Sequence, residues 1–147
     1  MKTHTKTIEK VCSYLTKKHK VSAQAFTDEN FNDFDIKVFS MKKPPSTYTV
    51  KWNNTYNNDK VVVETQKFNA ESRRYDPSGL SVVNSDYTVL VFDNTPKMYI
   101  IETSKLLRYA ATNLYTNEVG MYNTSDRNGC RISLLDRTEL IKQCKKI

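Results

Sequence analysis

The runs Phe34-Asp35-Ile36-Lys37-Val38-Phe39, Thr47-Tyr48-Thr49-Val50-Lys51-Trp52 and Lys60-Val61-Val62-Val63-Glu64-Thr65-Gln66 decide the fold. β-Branched and aromatic residues dominate all three, a composition that fits a pleated, half-buried surface. Pro44-Pro45 separates the first run from the second, and the polar stretch Asn53–Asp59 is turn chemistry between the second and the third. Three successive strands, neighbours in one sheet, are expected.

Towards the N-terminus, Thr3 or Thr5 caps a segment in which Ile8, Val11, Cys12 and Leu15 recur at i, i+3, i+4 and i+7. That spacing predicts an amphipathic helix over residues 5–19, with Lys6, Lys10, Lys17 and Lys18 on its polar side. Residues 22–33 lack periodicity and read as a loop or irregular turn. Towards the C-terminus, a polar segment with Arg73, Arg74 and Pro77-Ser78-Gly79 leads to a strand at Tyr87–Phe92. Asp93-Asn94-Thr95-Pro96 turns the chain into a further strand, Met98–Ile101. Thr103 or Ser104 caps a helix to about Thr112, with Leu106, Leu107 and Ala110 inward. A short strand at Arg131–Leu134 and a helix over Arg137–Lys145, with Leu140, Ile141 and Cys144 on one face, close the order. Strands in one block with helices at the flanks imply a single α+β or mixed α/β domain over residues 1–147, its sheet of about five strands covered by helices.

The 147 residues carry 23 Lys and Arg against 16 Asp and Glu, a formal net charge of +7. A basic surface favours polyanions, nucleic acid first. Apolar runs such as Val61–Val63 and Met98–Ile101 are too short to span a bilayer, and the first ten residues carry no apolar signal region. Three Cys, with no CxxC pair, argue against a disulfide framework and a zinc site, so the chain reads as cytosolic and reduced. Three Gly exclude a P-loop and a GxGxxG turn, and neither GxSxG nor HExxH occurs. His4 and His19 read as residues of a solvated helix face.

What remains are charged residues embedded in the strands: Asp35, Lys51 and Glu64. Buried, they are costly unless paired or bound to metal. Magnesium takes one or two carboxylates and leaves its other positions to water and phosphate. The alternative is a sheet with one solvated face from which these side chains point outward. Lys42, Lys43, Lys60, Lys67, Arg73 and Arg74 fall in segments expected to border the same region, beside Trp52, Tyr56 and Tyr75. They suit phosphate contacts and base stacking, or they are edge lysines that block sheet-to-sheet pairing.

About half of the chain, from Asp35 to Leu107, resembles the phage members of the PD-(D/E)XK nuclease superfamily. The resemblance runs through Phe34-Asp35-Ile36-Lys37-Val38, Thr47-Tyr48-Thr49-Val50-Lys51 and Val62-Val63-Glu64. It continues through Pro77-Ser78-Gly79-Leu80-Ser81, Ser85-Asp86-Tyr87-Thr88-Val89 and Tyr99-Ile100-Ile101-Glu102-Thr103-Ser104-Lys105-Leu106-Leu107. It implies a restriction-endonuclease-like mixed sheet and Mg²⁺- or Mn²⁺-dependent hydrolysis of DNA. In that pattern Asp35 is the metal-binding aspartate, Lys51 the lysine of the E-x-K, Glu64 the next-strand glutamate and Glu9 the acid of the first helix. Nucleic acid would meet Lys42, Lys43, Trp52, Arg73, Arg74 and Ser78. Thr49 departs from the pattern, because the family's main carboxylate stands at that place. Either Glu64 moves into the gap beside Asp35 as a second metal ligand, or Glu64-Thr65-Gln66 acts as an E-x-Q variant with Gln66 replacing the lysine. Three functions follow: a metal-dependent nuclease, a lapsed nuclease fold that binds nucleic acid, or a phage accessory protein in the host cytoplasm that docks a host protein of transcription or defence.

Overall fold

The computed structural model describes residues 4–53, 60–92, 97–112, 116–119 and 130–146. In chain order these form α1 (Thr5–His19), β1 (Ser22–Ala25), β2 (Ile36–Phe39), β3 (Ser46–Asn53), β4 (Lys60–Asn69) and β5 (Arg74–Pro77). A single 3₁₀ turn (Gly79–Ser81) precedes β6 (Tyr87–Phe92), β7 (Met98–Glu102), α2 (Thr103–Thr112), β8 (Thr116–Val119), β9 (Cys130–Asp136), α3 (Arg137–Lys142) and β10 (Lys145–Lys146).

The first sheet has the order β1-β2-β3-β6-β7-β10. Its centre is the parallel pair β3–β6, in which Thr49 lies opposite Thr88 and Lys51 opposite Leu90. The other pairings in this sheet are antiparallel. The expected mixed sheet flanked by helices is present, its five strands extended by the two-residue edge β10. A second sheet, β5-β4-β9-β8, was not legible in the sequence.

Three local expectations are corrected. Ser22–Ala25, expected as loop, is a strand because β2 supplies an antiparallel partner, Ser22 opposite Phe39 and Ala25 opposite Ile36. The expected third run, which forms β4, is not β3's neighbour. β6 takes that edge in parallel, which requires a long crossover, and β4 and β5 occupy the crossover as part of the second sheet. The last helix stops at Lys142, and Lys145–Lys146 pair instead with Ile100 and Tyr99 of β7. The start of that helix follows the usual rule, since the Asp136 carboxylate accepts from Glu139 N at 3.0 Å.

Helix α1 buries Ile8, Val11 and Leu15 against Ile36, Val38, Val50, Val89 and Val91, as its periodicity predicts. The opposite side of β6 sends Leu90 and Phe92 into a second core. There they meet Leu106 of α2, Leu140 of α3, and Val61, Val63 and Leu135 of the second sheet. β6 is thus covered on both faces, which explains its unbroken apolar run. Among the described residues no helix is long and apolar enough to cross a membrane.

Candidate active site

The site follows from strand alternation. Val50 points into the α1-side core, so Thr49 and Lys51 project from the opposite face. Ile36 and Val38 also point towards α1, which places Asp35, one residue before β2, on the face of Thr49 and Lys51. A cleft of about 800 Å³ opens on that face, lined by Asp35, Thr49, Lys51, Glu64 and Lys67 together with His4 and Glu29.

Asp35 is 6% exposed. Its Oδ2 accepts from Val50 N at 2.7 Å, its own N–H donates to Tyr48 O at 2.8 Å, and its carbonyl accepts from Phe26 N at 2.7 Å. The Val50 carbonyl is held in turn by His4, whose Nε2 donates to it across 3.1 Å. The backbone of Val50 is therefore held at both its N–H and its C=O, between Thr49 and Lys51. His4 is partly buried in the cleft and not on a solvated helix face. Its place ahead of α1, with its carbonyl accepting from Ile8 N, turns the ring towards β3.

Lys51 is partly buried, and burial pushes its ammonium below the ordinary lysine value, while the nearby Glu64 carboxylate pulls it part of the way back. Exchanging Lys51 for Met keeps the stem and removes the desolvated charge. Lys51→Met is expected to raise Tm by roughly 3 °C in a thermal melt. The folded state gives up this proton more readily than the unfolded chain does. The wild type should therefore recover stability relative to Lys51→Met as pH rises towards about 10.4, the ordinary lysine value.

Glu64 reaches the cleft from the second sheet. Between Glu64 and Gln66 the register against β9 shifts, leaving Thr65 as the odd residue of a bulge. The Thr65 carbonyl is satisfied by Ser78 N at 2.9 Å and by Ser81 Oγ, so the turn after β5 is laced onto the bulge. Gly79 lies directly over Glu64: a Cβ there would sit 2.4 Å from the Glu64 carbonyl oxygen.

Thr49 is engaged below the cleft. Its hydroxyl donates to Ser85 Oγ at 2.8 Å, Ser85 Oγ lies 3.0 Å from Thr103 Oγ1, and Thr103 Oγ1 lies 2.9 Å from Thr88 Oγ1. Thr88 and Thr103 are buried. A chain of four neutral hydroxyls underlies the position where the resemblance puts a carboxylate.

Other expected site residues lie elsewhere. Glu9 is exposed on α1 and does not line the cleft; its charge acts on Cys12, whose thiol is raised first by burial and then by Glu9. Gln66 lies beyond the bulge and does not line the cleft either. Ser78 builds the turn through its backbone, its N–H donating to Thr65 O and its carbonyl accepting from Ser81 N, while its buried hydroxyl has no hydrogen-bond partner among the described residues. Lys42 and Lys43 occupy the β2–β3 loop, five residues of strand and roughly 17 Å from Lys51. Arg73 and Arg74 sit at the β4–β5 turn, a similar distance from Glu64. The side chain of Trp52 and the whole of Tyr56 lie outside the described residues. Of the expected basic group, Lys67 lines the cleft. His4 and Glu29 carried no sequence signal, because both are brought in by long-range packing.

Among the described residues no three His, Cys, Asp or Glu side chains gather into a ready-made metal cage. Asp35 and Glu64 place two carboxylates on the cleft, and hard oxygen donors of that number suit Mg²⁺ or Mn²⁺ completed by water and phosphate. The donor chemistry of the two carboxylates fits such an ion.

No protein-family model matches the sequence, and no curated protein does. Among solved structures, the chain is similar to the bacterial homing endonuclease I-Ssp6803I, with a TM-score of 0.52 and 11% identity over 71% of this chain and 70% of that one. At that identity the likeness is one of fold: the chain has a nuclease-like fold.

Proposed function

We propose that the cleft hydrolyses phosphodiester bonds in DNA as a PD-(D/E)XK-type nuclease dependent on Mg²⁺ or Mn²⁺. The observation that carries this reading is the convergence of Asp35, Lys51 and Glu64 on one cleft from two different sheets. Asp35 and Glu64 would hold the ion, which when bound supplies Lewis-acid polarisation of a phosphoryl oxygen and acidifies water. Lys51, partly desolvated beside Glu64, neutralises charge developing on the phosphate and can exchange a proton at Nζ. Lys67, on the cleft wall, meets a neighbouring phosphate. Arg73 and Arg74 extend these contacts along the β4–β5 hairpin.

A second reading is a nuclease fold kept for nucleic-acid binding without hydrolysis. The neutral hydroxyl chain beneath Thr49 favours it. Thr49→Glu separates the two. With the threonine hydroxyl removed, Ser85 Oγ is released to donate to the new carboxylate, so the substitution fits the local bonding. On plasmid and single-stranded DNA with Mg²⁺ or Mn²⁺, slow nicking by the wild type and faster nicking by Thr49→Glu, on the order of 10²-fold, is expected. If both proteins are inert on both substrates with either ion, hydrolysis is refuted and the binding reading replaces it.

A further inference from the structure

The face of β2 that carries Asp35 continues, two and four residues on, through Lys37 and Phe39. Ile36 and Val38 point into the α1-side core, so Lys37 and Phe39 share the cleft's side of the sheet. Beyond them the β2–β3 loop presents Met41, Lys42 and Lys43, ahead of Pro44-Pro45. Met41 is fully exposed at 106% and Phe39 is 40% exposed, two of the three exposed large hydrophobic residues among those described. Lys37 Nζ lies 5.5 Å from the centroid of the Phe39 ring. Lys20, the left-handed residue that ends α1, is added to the same end of the sheet by the Ser22–Phe39 pairing. From Ile36 to Asn58 the sequence holds no acidic residue.

The Asp86 carboxylate, which accepts from Thr47 N and Oγ1 opposite Lys37, stands at the base of the hairpin, and the tip beyond it carries cations around an apolar apex. Such a tip complements a polyanion that also offers apolar surface. Duplex DNA does so: phosphates flank a groove whose base steps accept a Met or Phe wedge. We infer that the β2–β3 hairpin tip is a second DNA contact continuous with the cleft, with Lys37, Lys42 and Lys43 at phosphates and Met41 inserted between base pairs. Asp35 to Met41 spans six residues, up to roughly 20 Å, so the wedge enters about six base pairs from the phosphate at the cleft. This rests on the nuclease reading for what occupies the cleft. It is tested by binding without metal, so that loss of one reading does not imply loss of the other.

The tip is exposed, so Met41→Ala and the double variant Lys42→Ala/Lys43→Ala leave the core untouched. Binding of a duplex of about two helical turns, in EDTA and over a series of salt concentrations, is the measurement. The double lysine variant is expected to bind on the order of 10-fold more weakly at low salt and to lower the log–log salt slope by about two. A 2-aminopurine placed in the duplex should brighten with wild type as its step unstacks, and should stay dark with Met41→Ala at an unchanged salt slope. Coincident salt slopes for wild type and the lysine variant overturn the inference. So does equal brightening with Met41→Ala. Variant-sensitive binding to anionic vesicles but not to duplex would overturn it in favour of a membrane surface.

Discussion

Asp35→Asn is expected to yield a folded protein in which the proposed DNA hydrolysis falls by at least about 10²-fold, whereas Asp35→Ala loses both hydrolysis and stability. The difference lies in the Val50 N–H, which Asp35 Oδ2 accepts at 2.7 Å in a site only 6% exposed. An asparagine can turn its amide oxygen to that N–H and keep the bond, but it brings no charge to a metal ion. Alanine leaves the N–H buried and unpaired, which costs about 1–3 kcal/mol and frees β3 at the point where it projects Thr49 and Lys51. Thermal melts read the first effect and metal-dependent nicking the second. Wild-type nicking by Asp35→Asn would remove Asp35 from the proposed metal site. Equal Tm for Asn and Ala would mean that the clamp on Val50 contributes nothing.

The second large effect is expected from Gly79→Ala, at a residue with no chemistry of its own. Gly79 has φ +56°, a left-handed conformation that costs a side-chain-bearing residue about 1–2 kcal/mol. An added Cβ would also approach the Glu64 carbonyl oxygen to 2.4 Å and the Glu64 Cβ to 2.8 Å. The main obstacle is backbone, so no side-chain rotation relieves it. The turn and the bulge at Thr65 must move apart, and Glu64 moves with them. A loss of more than about 3 kcal/mol in a denaturant titration is expected. Nicking should fall even where the variant is still folded, because Glu64 leaves its place beside Lys51. A Gly79→Ala protein with wild-type stability and activity would show that this close approach does not position Glu64.

The sequence by itself determined what local periodicity and turn chemistry encode. The stripe Ile8, Val11 and Leu15 makes α1 and chooses its buried face; Pro44-Pro45 and Asn53–Asp59 bound β3; the apolar run Tyr87–Phe92 marks a strand. Alternation along β3 sets Thr49 and Lys51 on the face opposite Val50 without knowledge of any partner. What only the tertiary structure decided is which strands meet. Successive strands are usually neighbours, which made β4 the expected partner of β3. Long-range pairing gave that edge to β6 and drew β4 into a second sheet with β9, whose contacts lie about seventy residues away in the chain. Glu64 still reaches Lys51, now through a bulge and a glycine turn that no period in the sequence announces. The same non-local packing carried Glu9 away from the cleft and His4 into it, because helix α1 lies against the opposite face of the sheet while His4, just ahead of it, reaches the Val50 carbonyl of β3.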